Sequence, residues 1–143
     1  MDDMQLSLNN TLPLNANCPV VLVVDDNEDN LLLVSLAVQQ FLNCSLIVAA
    51  DGKTAISLAQ LYRPDLILLD IVLPDLNGFE VTASLKQHWQ TRTIPIVAVT
   101  ALAREEECDR ILAAGCDGYL SKPYMLEDLE KVIYRYLRTP SLV

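Results

Sequence analysis

The sequence predicts an α/β fold, an open doubly wound parallel sheet in which strands and helices alternate five times. Two observations carry this. Short β-branched or leucine-rich runs, apolar on both faces, recur between longer segments whose apolar residues fall at three- and four-residue spacing. The runs also stop abruptly at polar residues, as strands do where a buried sheet meets its rim. The length of 143 residues suits one such domain.

Taken in order, Pro19-Val20-Val21-Leu22-Val23-Val24 reads as the first strand and ends at Asp25-Asp26. A helix over about 29–42 follows, with Leu32, Ser35, Leu36, Gln39 and Leu42 at helical spacing. Leu46-Ile47-Val48-Ala49-Ala50 is the second strand. Asp51-Gly52 caps the next helix, where Ala55, Leu58, Ala59 and Tyr62 share a face and Pro64 bars continuation. Asp65-Leu66-Ile67-Leu68-Leu69-Asp70 is the third strand. Pro74-Asp75-Leu76-Asn77-Gly78 is loop chemistry, with Asp75 in the turn, and Asn77 and Glu80 have capping-box spacing ahead of a helix near 79–88.

Ile94-Pro95-Ile96-Val97-Ala98-Val99-Thr100 is the fourth strand, its proline tolerable only near the start. A helix over about 104–114 stops at Gly115, and Gly118-Tyr119-Leu120-Ser121 makes a short fifth strand. The last helix, about 126–137, is acidic early and carries Arg135 and Arg138 late, which suits the helix dipole. Leu126, Leu129, Val132, Ile133 and Tyr136 form its core-facing stripe. Residues 1–17, asparagine-rich and without a sustained period, are expected to be an extension to a domain over 18–139. Residues 140–143 are expected to be a tail that leaves no room for an output domain.

Composition narrows the function. Ten Lys and Arg against nineteen Asp and Glu give a formal charge of −9, which argues against direct nucleic-acid binding. No apolar run approaches the ~20 residues of a membrane span, and the acidic start lacks the basic region of a secretory signal, so a cytoplasmic protein without membrane insertion is expected. Four cysteines without a C-x-x-C pair and a single histidine, His88, argue against zinc and against a histidine-dependent triad. Cys108 and Cys116 are expected to be packing residues, and Glu105-Glu106-Glu107 a solvated helix start.

The chemistry lies at the strand ends. In an open α/β sheet, ligands bind beyond the carboxyl ends of the strands where their order reverses. Those ends carry Asp25 and Asp26, Asp70, Thr100 and Lys122. Singly, each has a bland reading: aspartates cap helices, a threonine can do the same, and a lysine is ordinarily solvated. Jointly, three carboxylates on one rim repel one another unless a cation neutralises them, and oxygen-only donors select a hard ion such as Mg²⁺. Thr100 and Lys122 add a hydroxyl and a positive point charge suited to a phosphoryl group.

The runs Val23-Val24-Asp25-Asp26-Asn27, Leu68-Leu69-Asp70-Ile71-Val72-Leu73-Pro74-Asp75-Leu76-Asn77-Gly78, Val99-Thr100-Ala101 and Gly118-Tyr119-Leu120-Ser121-Lys122-Pro123 closely resemble the receiver domains of two-component response regulators, in order, over about 19–138. The resemblance implies a flavodoxin-like fold with strand order 2-1-3-4-5. It implies phosphorylation of Asp70 by a sensor histidine kinase or a histidine phosphotransfer protein, and signalling to a downstream protein effector. Asp26, Asp70 and the Val72 carbonyl would bind Mg²⁺, with Asp25 acting through water, and Lys122 and Thr100 would grip the phosphoryl group. Thr100 and Tyr119 would form the switch, and Lys122-Pro123 would be cis, the one kind of peptide in which that form is cheap. Val72 and Leu102 fall at the family's two variable flanking positions. Both are apolar, so the expectation is a long-lived phosphoryl group.

Two other classes compete. An aspartate-dependent, Mg²⁺-using phosphatase of the haloacid dehalogenase type normally needs a second acid two residues after its nucleophile, where this chain has Val72. A receiver-like scaffold that works without phosphorylation usually lacks one of the acids, and this chain keeps them all.

Overall fold

The computed structural model describes residues 18–41, 44–101 and 104–137. The 1–17 extension, Leu42, Leu102, Arg138 and the 140–143 tail lie outside the described residues. Ten elements alternate without exception: β1 (Val20–Val24), α1 (Glu28–Phe41), β2 (Ser45–Ala49), α2 (Gly52–Tyr62), β3 (Leu66–Asp70), α3 (Gly78–Gln87), β4 (Ile96–Thr100), α4 (Glu105–Ala113), β5 (Gly118–Ser121) and α5 (Leu126–Tyr136). The strands form one parallel sheet in the order β2-β1-β3-β4-β5, as the resemblance implies. Among the described residues no helix is long and apolar enough to cross a membrane.

Side chains alternate across the sheet and build two cores, which is why the strands read as continuously apolar. Leu22, Ile47, Ile67, Leu69, Ile96 and Ala98 meet Ala55 and Ala59 of α2, Val81 and Leu85 of α3, and Ile111 of α4. Val21, Val23, Leu46, Leu66, Leu68, Val97 and Val99 meet Val34, Ala37 and Val38 of α1, and Leu129 and Ile133 of α5. Helix α1 therefore buries a different face from the one its leucines suggest. Leu32 and Leu36 are exposed, while the smaller Val34, Ala37 and Val38 pack against the sheet.

Element ends follow local chemistry. Asn77 and Glu80 form the expected reciprocal capping box on α3. Helix α2 ends at Arg63 in the left-handed region (φ 47°), ahead of Pro64, and Gly115 adopts φ 111° just past α4. At the amino ends of the strands a two-point clasp occurs twice. Asp65 donates its amide to the Val20 carbonyl (2.7 Å) and accepts the Val20 amide on its carboxylate (2.8 Å). Asp117 does the same with Ile96, both at 2.8 Å. Strand β4 begins at Ile96, two residues later than its apolar run, because Pro95 has no amide to give the ladder.

Candidate functional site

The strand order reverses between β1 and β3, so their carboxyl ends open a crevice. Strand β1 delivers Asp25 and Asp26 to it, β3 ends in Asp70, β4 ends in Thr100, and Lys122 follows β5. All five residues singled out in the sequence thus stand along one rim. One carboxylate oxygen from each of Asp25, Asp26 and Asp70 lies within 4.8 Å of the others. Asp25, Asp70 and Thr100 are buried, whereas Asp26 is exposed.

Lys122 spans the acids. Its Nζ lies 2.8 Å from Asp70 Oδ2 and 3.7 Å from Asp25 Oδ2. The other Asp70 oxygen accepts the Val72 amide at 3.0 Å. Burial raises the pKa of Asp70; the hydrogen bonds from Lys122 and the Val72 amide pull it down, the Asp25 charge adds to burial, and the net shift is upward. Burial pulls Lys122 down, but its hydrogen bond to Asp70 and the fields of the three aspartates outweigh that and leave it raised. A lone ammonium among three carboxylates stays charged without fully compensating them. Oxygen donors packed this closely, with an excess of negative charge, fit a hard divalent cation.

Several residues at the site were not singled out from the sequence. Asn27 caps α1 through its side chain to the Asn30 amide (2.9 Å), and its own amide binds Asp25 Oδ1 (2.9 Å). Asn30 donates to Asp25 Oδ2 at 3.1 Å. Asparagine at a helix start was the available signal, but its bond to Asp25 depends on how the turn closes. Tyr124 stands where burial, then Asp25 and Asp70, push its phenol up to about 12. Asp75, expected in the turn after Pro74, reaches across to α2, where its carboxylate accepts the amides of Gly52 (2.7 Å) and Lys53 (2.9 Å).

Tyr119 is 44% exposed, so its ring does not lie in the core. A hydrogen bond with Cys108 of α4 raises its pKa. Cys108 and Cys116 are buried, as packing residues should be. Val72 is 77% exposed beside Asp70, and Lys122-Pro123 is cis. Glu105 and Glu106 are solvated, and Glu107 pairs with Arg110 at 3.3 Å.

A doubly wound parallel sheet in the order 2-1-3-4-5, with three acids, a hydroxyl and a lysine along the rim at its carboxyl ends, is the architecture of the flavodoxin-like fold. The chain belongs to the response regulator receiver domain family, which it matches over residues 21–134, and is thereby a receiver domain of two-component signalling. It is 40% identical over 117 residues to the polar-differentiation response regulator DivK of Brucella anthropi, a match covering 82% of this chain and 94% of that protein. It superposes on the chemotaxis response regulator CheY4 of Vibrio cholerae with a TM-score of 0.80 and 32% identity, over 84% of this chain and 99% of that one. The receiver domain of a sensor histidine kinase from Pseudomonas aeruginosa, solved with a magnesium ion in its active-site cleft, is 30% identical with a TM-score of 0.78, over 85% and 99% of the two chains.

Proposed function

We propose that Asp70 accepts a phosphoryl group from a phosphohistidine on a sensor histidine kinase or a histidine phosphotransfer protein. The observation that carries this is its setting: a buried carboxylate at the switch point, 2.8 Å from an ammonium and within 4.8 Å of two further acids. In the transfer, an Asp70 oxygen attacks phosphorus, the P–N bond breaks as the P–O bond forms, and the released imidazole takes up a proton. Little else is required, because phosphoryl transfer depends chiefly on alignment and charge neutralisation. Lys122 follows the developing charge by exchanging its bond to Asp70 for one to a phosphoryl oxygen, and the Thr100 hydroxyl holds another. Asp26, Asp70 and the Val72 carbonyl would hold Mg²⁺ directly, and Asp25 would act on it through water. Bound there, Mg²⁺ supplies neutralising charge to the phosphoryl oxygens.

Phosphorylation then draws Thr100 toward the phosphate and Tyr119 inward, altering the surface of α4, β5 and α5 that a protein effector reads. A cytoplasmic setting suits this donor, since phosphohistidine is made from ATP. Val72, apolar and solvent-facing, gives an attacking water no general base, which supports a long-lived acyl phosphate. It also stands where a haloacid-dehalogenase-type phosphatase would need its second acid.

Intact mass after incubation with Mg²⁺ and a small acyl-phosphate donor tests the proposal. The wild type gains one base-labile phosphoryl group and Asp70→Asn gains none. Equal labelling of both proteins places the acceptor elsewhere and refutes the assignment.

A further inference from the structure

We propose that Asp75 is a positioning residue for the acceptor site, clamping the 71–77 loop onto the amino end of α2 and so fixing the stretch of chain that holds Val72. The proposal rests on the reading of Asp70 and Val72 given above.

A helix start leaves its first amides without intrahelical partners. In α2 those amides are shared between two acids from different parts of the chain. Asp51, the local cap, takes the amide of Thr54 at 2.7 Å. Asp75 takes those of Gly52 and Lys53, one on each carboxylate oxygen, and the ladder begins with the Ala55 amide on the Asp51 carbonyl. The Gly52 bond, opposed by burial and aided by Lys53, holds the Asp75 carboxyl below its ordinary range.

The fit at this junction is close. A Cβ on Gly52 would stand 2.9 Å from Val81 Cγ2, 3.0 Å from Leu76 Cβ and 3.3 Å from Asp75 Oδ1, so the missing side chain is what lets the loop seat on the helix. At its ends the same loop is tied to Asp70 and closed against the start of α3. The Val72 amide binds Asp70 Oδ1, and the Gly78 amide binds the Ile71 carbonyl at 2.7 Å. Between those ties, Leu73 and Leu76 pack on the core, while Val72, Pro74, Asp75 and Asn77 face solvent. Asp75 thus ties to α2 the exposed middle of a loop whose Val72 carbonyl must be held still to serve a cation, while Asn77 ties its far end to α3. Groups that orient metal ligands without touching the metal set its affinity.

Titration calorimetry with Mg²⁺ alone, with thermal unfolding in parallel, separates this role from simple helix capping. Asp75→Ala weakens Mg²⁺ binding on the order of tenfold, at the lower end for such orienting groups. Asp75→Asn, which keeps one acceptor oxygen, falls between it and the wild type. Asp51→Ala removes the other cap of the same helix and lowers the Tm comparably while leaving Mg²⁺ affinity unchanged. An Asp75→Ala protein that loses Tm but binds Mg²⁺ as the wild type does overturns the proposal. So does an equal loss of affinity in Asp51→Ala. A wild type that binds no Mg²⁺ overturns the underlying site reading and this proposal with it.

Discussion

Asp70→Asn neutralises the central carboxylate of the cluster while nearly preserving its shape, and in metal-free protein at neutral pH it should stabilise the fold. At an effective dielectric constant of about 20, unit charges 4.8 Å apart repel by about 3.5 kcal/mol, and Asp70 faces two such neighbours. On the same scale its attraction to Lys122 at 2.8 Å is about 6 kcal/mol. On this scale the two repulsions exceed the attraction by about 1 kcal/mol, and burial of the charge adds to the cost of the ionised form. That agrees in sign with the raised Asp70 pKa. For a domain of this size the gain is a rise of about 3–5 °C in Tm. Because the folded pKa is raised, the stability tied to protonated Asp70 is complete below the ordinary value of 3.8 and is lost as pH rises through the folded value. The advantage of Asp70→Asn should therefore be largest near pH 7 and fade as the solution is acidified toward 4. With Mg²⁺ at ten times its Kd, the wild type should gain about 1.4 kcal/mol and the variant nothing, which reverses their order. Scanning calorimetry in chelator and in Mg²⁺ reads both effects. A variant that melts below the wild type in chelator at pH 7 refutes the electrostatic reasoning.

Two further outcomes follow from the geometry. Lys122→Met leaves three clustered carboxylates without their ammonium. Since the lysine side chain is 24% exposed, the loss should sit below that of a fully buried pair, at about 2 kcal/mol by urea denaturation in chelator, with Mg²⁺ recovering part of it. Gly78→Ala would bring a Cβ within 2.7 Å of Ile71 Cα and 3.0 Å of the Asp70 carbonyl oxygen, both backbone atoms. A destabilisation of about 2–3 kcal/mol is expected from such overpacking, and a chevron indistinguishable from the wild type would show that the loop yields freely.

The strand ends were the most legible part of the molecule, because Asp25, Asp26, Asp70, Thr100 and Lys122 each punctuate an apolar run and the fold class alone gathers such positions. Asn77 and Glu80 were legible for a similar reason: a capping box is contained within four residues. Asp75 was not, since its partners Gly52 and Lys53 precede it by 23 and 22 residues and no local pattern announces the pairing. The inner face of α1 was also misleading. A helix with leucines on several sides offers more than one apolar stripe, and the close approach of the sheet selects the smaller Val34, Ala37 and Val38. Tyr124 and Asn30 became visible only once the chain had closed around Asp25.

The paired clasps of Asp65 and Asp117 bear on a weakness of this architecture. A strand buried on both faces has no inside and outside to tell a correct alignment from one shifted by a single residue, so Val20–Val24 and Ile96–Thr100 could slide against their neighbours with little change in apolar contact. Each clasp engages one residue's amide and carbonyl together, and a shifted strand would leave an aspartate facing the wrong peptide. The two acids act as index pins. Asp65 sets how far β1 and β3 run past one another and Asp117 does so for β4 and β5, so that the strand ends come out level along one rim.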